Sequence, residues 1–538
     1  MQIEPLYNKT DFVTIQDYLS KCGVKDVDLW LKHKYLDDIN NYTNIDEFCK
    51  KLYNALTSKQ KIYLLVDSDL DGFMSSSMFY VYCHSIYKDC HIKPIFHTGK
   101  QHGLDSIVMT EIKQYKPSLL VVLDAGTNDD VQDRELKSLG WDIICADHHE
   151  REKKNPYCTL VNNQISTKVK NKSLSGTGVS WKVCKAYDVM YGFNYANSLI
   201  SYVTIANVGD GMSFLTPENE TFRYWGIKDI HNNLKPFVGD FNGYLTDNKS
   251  FSFGMVTNIN ALIRLGTQED KENLFYALCG KVETEEIIGV CKKLHSKQSR
   301  DTKSLLEKDV DIIYDGKIIL ARVSKSTPLT GLVANKMMGE YNKPIILTQQ
   351  DGEELKGSVR SPIDLKDILP SNLFNYNLGH QRAFGTSYQI SNEKDIIDYI
   401  DSLESLPEPT QAVFMSLKTS DVPNYLFGFV DENKAYFGEG IPIPKVHFQK
   451  FGIYNKEIQL LGANQRTVKF HRDGIDFIFF NCTNKIKELL HLNDLSKKRV
   501  TLEFIGELGY NEFRGNKTKQ CIIDMSTLDI HDYRIDFM

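Results

Sequence analysis

At 538 residues the chain is too long for one hydrophobic core and should divide into roughly three or four domains. Its 41% hydrophobic and 25% charged residues are ordinary for a globular protein, no run reaches the roughly 18 apolar residues of a membrane span, and MQIEPLYNKTDF lacks the pattern of a secretion signal. A net charge of −6 excludes a globally basic protein while leaving room for a local basic groove, and eleven cysteines without a C-x-x-C pair suit reduced thiols in a cytoplasm.

Residues 1–60 read as an N-terminal helical segment, with helical apolar spacing through DLWLKHKYLDDI and IDEFCKKLYNAL. From Lys61 the pattern alternates strand and helix: KIYLLVD, the helix-length GFMSSSMFYVYCHSIY, then KPIFHT, SLLVVLD and WDIICAD. This is the rhythm of a parallel sheet, and it defines an α/β domain over 61–250. SLSGTGVSWKVCKAYDVMYG and SLISYVTIANVGDGM follow as helices. Residues 251–308 form a helical connector, 309–402 a smaller α/β domain, and 408–538 a strand-rich segment whose spacing suggests a small barrel. The overall fold class is α/β with a C-terminal β-barrel.

Three strand-like runs end in acid. KIYLLVDSDLDG places Asp67, Asp69 and Asp71, SLLVVLDAG places Asp124, and WDIICADHHE places Asp147, His148 and His149. Parallel sheets bind ligands at the carboxyl ends of their strands, so these residues should meet. Five acids and two imidazoles at one edge repel unless cations hold them. An EF-hand reading of DSDLDG fails, because its twelfth position from Asp67 is Met78 and not Glu. Imidazole among carboxylates suits Mn²⁺, Fe²⁺ or Zn²⁺, and a shared carboxylate such as Asp124 could bridge two ions. Gly72 would let the backbone turn close to a bound phosphate. Taken singly, each acid is more simply a helix cap or a surface group. From Arg151 to Lys172, the six basic residues Arg151, Lys153, Lys154, Lys168, Lys170 and Lys172 face one acid, Glu152. A solvated loop explains such a run, and its place beside the acids keeps a backbone-phosphate role open.

DSDLDG, LDAG, ADHHE and GDGM, in that order, resemble the four motifs of the DHH phosphoesterase superfamily. LKGSVRS and LGHQRAFG resemble the phosphate-gripping motifs of its DHHA1 domain, and INALIRLG is similar to the site-lining stretch of RecJ-like single-strand DNA exonucleases. FGEGIPIP and GYNEFRGNKTKQCIID resemble parts of the RecJ OB fold. The resemblance implies two divalent cations, Mn²⁺ or Mg²⁺, on Asp69, Asp71, Asp124, His148 and Asp210. It implies catalytic roles for Asp67, Asp147 and His149, and phosphate binding by His102, Asn260, Arg264, Ser358, Arg360 and His380. In the OB fold, Phe513, Arg514, Lys517 and Lys519 are the candidates for nucleic-acid contact, with Phe437, Phe448 and Tyr510 as further stacking rings.

The implied activity is 5′-to-3′ exonuclease action on single-stranded DNA with release of 5′-mononucleotides, by a monomer of bacterial or phage origin working beside a helicase or single-strand-binding protein. Departures from the family pattern are Leu378 in place of a glycine, and His97 and His102 where arginine and tyrosine stand; an altered substrate grip is expected from them. Two rivals remain: another DHH phosphoesterase, such as a nano-RNase or cyclic-dinucleotide hydrolase, and an inactive RecJ-fold replication scaffold.

Overall fold

The computed structural model describes residues 2–99, 101–242, 252–408, 410–480, 482–493, 498–513 and 515–532. The chain falls into two compact units, one of residues 19–299 with 436–441, the other of residues 1–18, 300–435 and 442–538. The strands in chain order begin with β1 (Gln2–Pro5), which pairs in parallel with β13 (Thr410–Val413) of the second unit. The chain therefore opens as a strand where helix was expected, because four residues carry no periodicity that reveals a partner some 400 positions away.

The first unit is built on a five-stranded parallel sheet of β2 (Lys61–Val66), β3 (His91–Phe96), β4 (Leu119–Leu123), β5 (Asp142–Asp147) and β6 (Thr159–Asn162), in the order β3-β2-β4-β5-β6. Both faces are covered, which is why the strands read as continuous apolar runs. Ile62, Leu64, Val121 and Ile144 point into one core cluster, and Tyr63, Leu65, Val122 and Cys145 into the other. The helix Leu70–Ile86 lies in the larger cluster and is buried on every side from Leu70 to Cys83, so its sequence is apolar all round. β6 was missed in the sequence, since TLVN is short and sits inside the basic stretch.

Residues 436–441 also belong to this unit: the Phe214 amide donates to the Glu439 carbonyl (2.9 Å), and Trp30 packs edge-on against Tyr436. Phe437, proposed to stack on bases, is buried here.

Besides the β1–β13 pair, the second unit holds two larger sheets. β7 (Val310–Asp315), β8 (Ile319–Val323), β9 (Ile345–Asp351), β10 (Glu354–Arg360), β11 (Tyr376–His380) and β12 (Ala383–Gln389) form one in the order β11-β12-β10-β9-β8-β7, parallel only between β8 and β9. The other is a mixed eight-stranded sheet of β14 (Met415–Leu417), β15 (Lys445–Tyr454), β16 (Gln459–Leu461), β17 (Thr467–Arg472), β18 (Ile475–Phe479), β19 (Arg499–Phe513), β20 (Asn516–Ile523) and β21 (Asp529–Asp532). Its interior is aromatic, with Phe448, Phe451, Phe470, Phe477 and Phe504 in mutual contact. Phe448 is thus core and not a stacking surface for bases. Among the described residues no helix is long and apolar enough to cross a membrane, and all eleven cysteines are free.

Candidate metal centre

The parallel register aligns Val66 with Leu123, and Leu123 with Ala146. The residues that follow, Asp67, Asp124 and Asp147, therefore emerge along one edge of the sheet. Asp124 has a left-handed backbone (φ +64°), a conformation costly for a side chain that bears a β-carbon and concentrated at functional sites. Its amide still donates to Ala146 (2.9 Å), which fixes the turn.

Around Asp124 the acids converge. His148 Nε2 lies 3.3 Å from Asp124 Oδ1, 3.6 Å from Asp210 Oδ2 and 3.9 Å from Asp71 Oδ2. Asp71 stands in the first turn of Leu70–Ile86, and Asp210 terminates the helix Ile200–Gly209. The ligand atoms of Asp71, His148 and Asp210 lie within 4.8 Å of one another, as do those of Asp124, Asp147, His148 and His149, and those of Asp67, Asp69 and His102. Asp69 caps Leu70–Ile86 by accepting from the Gly72 amide (3.0 Å). A β-carbon on Gly72 would come within 2.6 Å of the Asp67 carbonyl oxygen, so this glycine permits close backbone approach within the motif itself.

Asp124 Oδ1 and Asp210 Oδ2 are buried and accept no hydrogen bond. Burial raises both carboxyls above the usual range, and the nearby charges of Asp71 and Asp69 raise them further. His148 is pulled down by burial and by its neighbour His149, which favours the neutral imidazole that coordinates metal. Unsatisfied carboxylate oxygens around a neutral imidazole fit a divalent cation, whose charge would offset the repulsion among the acids.

The supporting contacts were not visible in the sequence. Asp71 accepts from the Gly176 amide at Oδ2 (2.7 Å) and from the Thr177 amide and hydroxyl at Oδ1 (2.8 and 2.5 Å). Asp147 Oδ1 accepts from the His148 amide (2.7 Å) and His149 Nδ1 (2.8 Å), and its Oδ2 from the Thr127 amide (3.0 Å). Burial opposes the charge on Asp147, but the His149 imidazole outweighs it and holds the carboxyl far below its usual range. Burial likewise opposes the His149 charge, and Asp147 carries it up to about 10. His149 is accordingly an imidazolium at neutral pH, with its side chain 56% exposed.

Asp67 accepts from the Gly103 amide (3.0 Å) and pairs with His102 Nδ1 (2.6 Å), while His97 Nε2 stands 3.5 Å away. His97 in turn bonds Asp105 (2.6 Å) and is fully buried. The two histidine departures thus act together: His97 buttresses Asp67 from inside and does not reach solvent, whereas His102 is half exposed. Lys271 donates to the carbonyls of His97 (3.0 Å) and Gly99 (2.8 Å), a further tie on this loop. Asn260 and Arg264 lie one turn apart on the helix Thr257–Leu265, which places them on one face. Burial lowers the Arg264 pKa, and the charge of Asp69 works against that.

Ser358, Arg360 and His380 belong to the other unit. Ser358 Oγ bonds Thr330 Oγ1 (3.0 Å) at the start of the helix Thr330–Tyr341, and Arg360 packs over Gly331, whose added β-carbon would meet Nη2 at 2.7 Å. His380 faces Ala383 across the β11–β12 hairpin, and Leu378 is 51% exposed on the same strand. In the C-terminal sheet, Lys517 pairs with Asp431 (2.5 Å) and covers the Tyr510 ring, and Lys519 donates to Asn424 (2.8 Å). Both lysines are therefore committed within the domain. Arg514 and the side chain of Phe513 lie outside the described residues.

Residues 61–207 match the DHH family N-terminal domain, and residues 424–525 match the RecJ OB domain. A protein of Bacillus subtilis named as an SPbeta prophage-derived single-strand DNA-specific exonuclease, YorK, is 28% identical over 95% of this chain and 96% of its own. The RecJ single-stranded-DNA-specific exonuclease of the same organism is 22% identical over 89% of this chain and 62% of its own length. Among solved structures, RecJ of Thermus thermophilus in complex with Mn²⁺ matches 99% of this chain and 80% of its own at a TM-score of 0.74 and 18% identity. The sequence motifs, the two domain matches and the shared fold agree: the chain carries a DHH family N-terminal domain and a RecJ OB domain, and it is similar to RecJ-named exonucleases along most of its length.

Proposed function

We propose that this protein is a metal-dependent exonuclease that hydrolyses phosphodiester bonds of single-stranded DNA from the 5′ end and releases 5′-mononucleotides. The observation that carries the phosphodiesterase reading is the buried cluster in which His148 faces Asp71, Asp124 and Asp210 while two carboxylate oxygens lack any donor. The single-strand preference is supported by the RecJ OB domain match and by the name of the YorK relative. Polarity and product rest on the RecJ resemblance alone.

In this reading Asp69, Asp71, Asp124, His148 and Asp210 hold two Mn²⁺ or Mg²⁺ ions. When bound, such a pair activates water and stabilises charge on the leaving oxygen. The protein's own part is positioning. Thr177 and Gly176 fix the Asp71 carboxylate, so its free lone pairs point one way. Asp147 keeps the proton on His149 Nδ1 and presents a cationic ring to the scissile phosphate. Asp67 orients His102 in the same manner. Phosphate contact is further assigned to Asn260 and Arg264 in the first unit and, separately, to Ser358, Arg360 and His380 in the second, a task suited to the two parallel donors of a guanidinium.

The test is Mn²⁺-dependent digestion of single-stranded DNA labelled separately at each end, with duplex DNA, an RNA dinucleotide and pyrophosphate as controls. Stepwise mononucleotide release from the 5′ end of the single strand is expected. Cleavage confined to the dinucleotide or pyrophosphate would move the protein to another branch of the superfamily. Bound metal without cleavage of any substrate would make it a scaffold.

A further inference from the structure

Directly after His149 the chain passes through Arg151, Lys153 and Lys154. All three are exposed, and none forms an ion pair among the described residues. Further along the basic run Lys168 is exposed as well, whereas two lysines are engaged. Lys172 is bound to the carbonyls of Asn163 (2.5 Å) and Ser166 (3.0 Å), and Lys170 lies over the Tyr35 ring. Arg151, Lys153 and Lys154 are thus the exposed basic residues that directly follow His149, while Lys172 ties the fold together.

The outward segment is held firmly for a solvent loop. Asn128 grips it twice, donating to the Glu150 carbonyl (3.0 Å) and accepting from the Glu152 amide (2.9 Å). Asn155 is buried and donates to Asp133 Oδ2 (2.6 Å), while its own carbonyl oxygen accepts from the Tyr157 amide (3.2 Å). Asn162 ties the His149 carbonyl (2.9 Å) to the Thr127 hydroxyl (2.9 Å). Thr127 and Asn128 belong to the turn that follows Asp124. The basic segment and the strand ends of the metal centre are thereby locked together. A merely solvated loop has no use for a buried asparagine and a buried aspartate as anchors.

Resting on the single-strand reading above, we infer that Arg151, Lys153 and Lys154 form a phosphate-binding rim for the nucleic-acid backbone next to the metal centre. Lys153 is four residues from His149, so its Cα lies at most about 14 Å from that of His149. A strand with its terminal phosphate at His149 would pass within reach of all three cations. The contacts are to backbone charge, so they are indifferent to base sequence and sensitive to salt. A mononucleotide or pyrophosphate, confined to the centre, would not use them.

The experiment compares full-length wild type with the triple variant Arg151→Gln, Lys153→Gln, Lys154→Gln. Binding of a fluorescein-labelled twenty-nucleotide oligothymidine is followed by anisotropy across a NaCl series, with EDTA present to block turnover. A single strand loses about 0.7 in the slope of log K against log salt per contact, so the triple variant should be shallower by about 2. A control pair, Lys116→Gln and Lys281→Gln, changes exposed charge elsewhere on the same unit and should leave the slope intact. Wild-type slope in the triple variant, or an equal effect in the control pair, overturns the rim. Wild-type protein that neither binds the strand nor digests it with Mn²⁺ overturns the single-strand reading and the rim together. All three side chains are exposed, so their replacement should leave folding intact.

Discussion

Thr177 donates both its amide and its hydroxyl to the same oxygen of Asp71, at 2.8 and 2.5 Å. The Gly176 amide takes the other oxygen. Asp71 is thus aimed by the first turn of a helix a hundred residues downstream, an arrangement that secures a proposed metal ligand before any metal arrives. Removing only the hydroxyl, with Thr177→Val, should weaken Mn²⁺ binding by about tenfold while the fold persists. Gly176→Ala should be worse, because its β-carbon would sit 2.3 Å from Asp124 Oδ1. Calorimetric Mn²⁺ titration of both variants checks the order; wild-type affinity in Thr177→Val would leave the hydroxyl a helix-terminus contact and nothing more.

Asp124→Asn should abolish turnover, by at least about a thousandfold, if this carboxylate serves two cations. Asparagine tolerates the left-handed backbone of residue 124, so the variant tests charge and not strain. Burial and like charges already raise this carboxyl, and its neutralisation should therefore stabilise the metal-free protein. The expected signature is a higher metal-free Tm together with loss of the Tm gain on adding Mn²⁺. Near-normal activity would sink the two-metal assignment.

The convergence of these acids was legible because parallel strands deliver their C-terminal residues to one edge, and KIYLLVD, SLLVVLD and WDIICAD each announce a strand ending in Asp. What aims the acids was not legible. Gly176 and Thr177 read as an ordinary helix start, and nothing local links them to Asp71. The pairing of β1 with β13 and the placement of Tyr436–Ile441 with the first unit are equally nonlocal. Charge alone likewise does not reveal partners: Lys172 is bound to backbone carbonyls and Lys517 pairs with Asp431, and neither contact is visible in the sequence.

Asp133 should make stability depend on pH. Burial holds its carboxyl protonated up to about 7 in the folded chain, whereas in the unfolded chain it ionises near 4. Below pH ~4 both states carry the proton and the group costs nothing. As pH rises from there to about 7 the unfolded state sheds its proton first, so stability falls and the full deficit stands above about 7. The loss is on the order of 2–4 kcal/mol. Asp133→Asn, which keeps an oxygen for Asn155, should flatten this part of the profile and raise Tm at neutral pH. Parallel Tm–pH curves for the two proteins between pH 4 and 8 would refute the assignment.

Arg360→Ala should raise KM for the strand by about ten- to a hundredfold and leave metal stoichiometry unchanged, since a guanidinium bound to phosphate contributes roughly 1.5–3 kcal/mol. Arg360→Lys should recover only part of the loss, because an ammonium cannot offer two parallel donors. Titration of Mn²⁺ beside steady-state kinetics separates the possibilities: a variant that loses metal contradicts a role in gripping phosphate.

Truncation after Leu406 would be the obvious way to ask whether the C-terminal domain feeds the strand, but the fold gives it a second consequence. It removes Tyr436–Ile441, whose Glu439 carbonyl accepts the Phe214 amide and whose Tyr436 ring takes Trp30 on its edge and the Arg223 guanidinium on its face. Arg223 is buried and bonded to the equally buried Glu220, so losing its cover exposes a charged pair that folding had enclosed. The truncated protein should therefore unfold at lower temperature, and its cleavage of short oligonucleotides should fall together with its binding of long strands. Tyr436→Ala in the full-length chain makes the distinction: it should reproduce much of the drop in Tm while leaving the strands of the C-terminal sheet in place. If that variant is as stable as wild type while the truncation binds long strands poorly, the C-terminal domain acts on substrate alone and the segment is a passive linker.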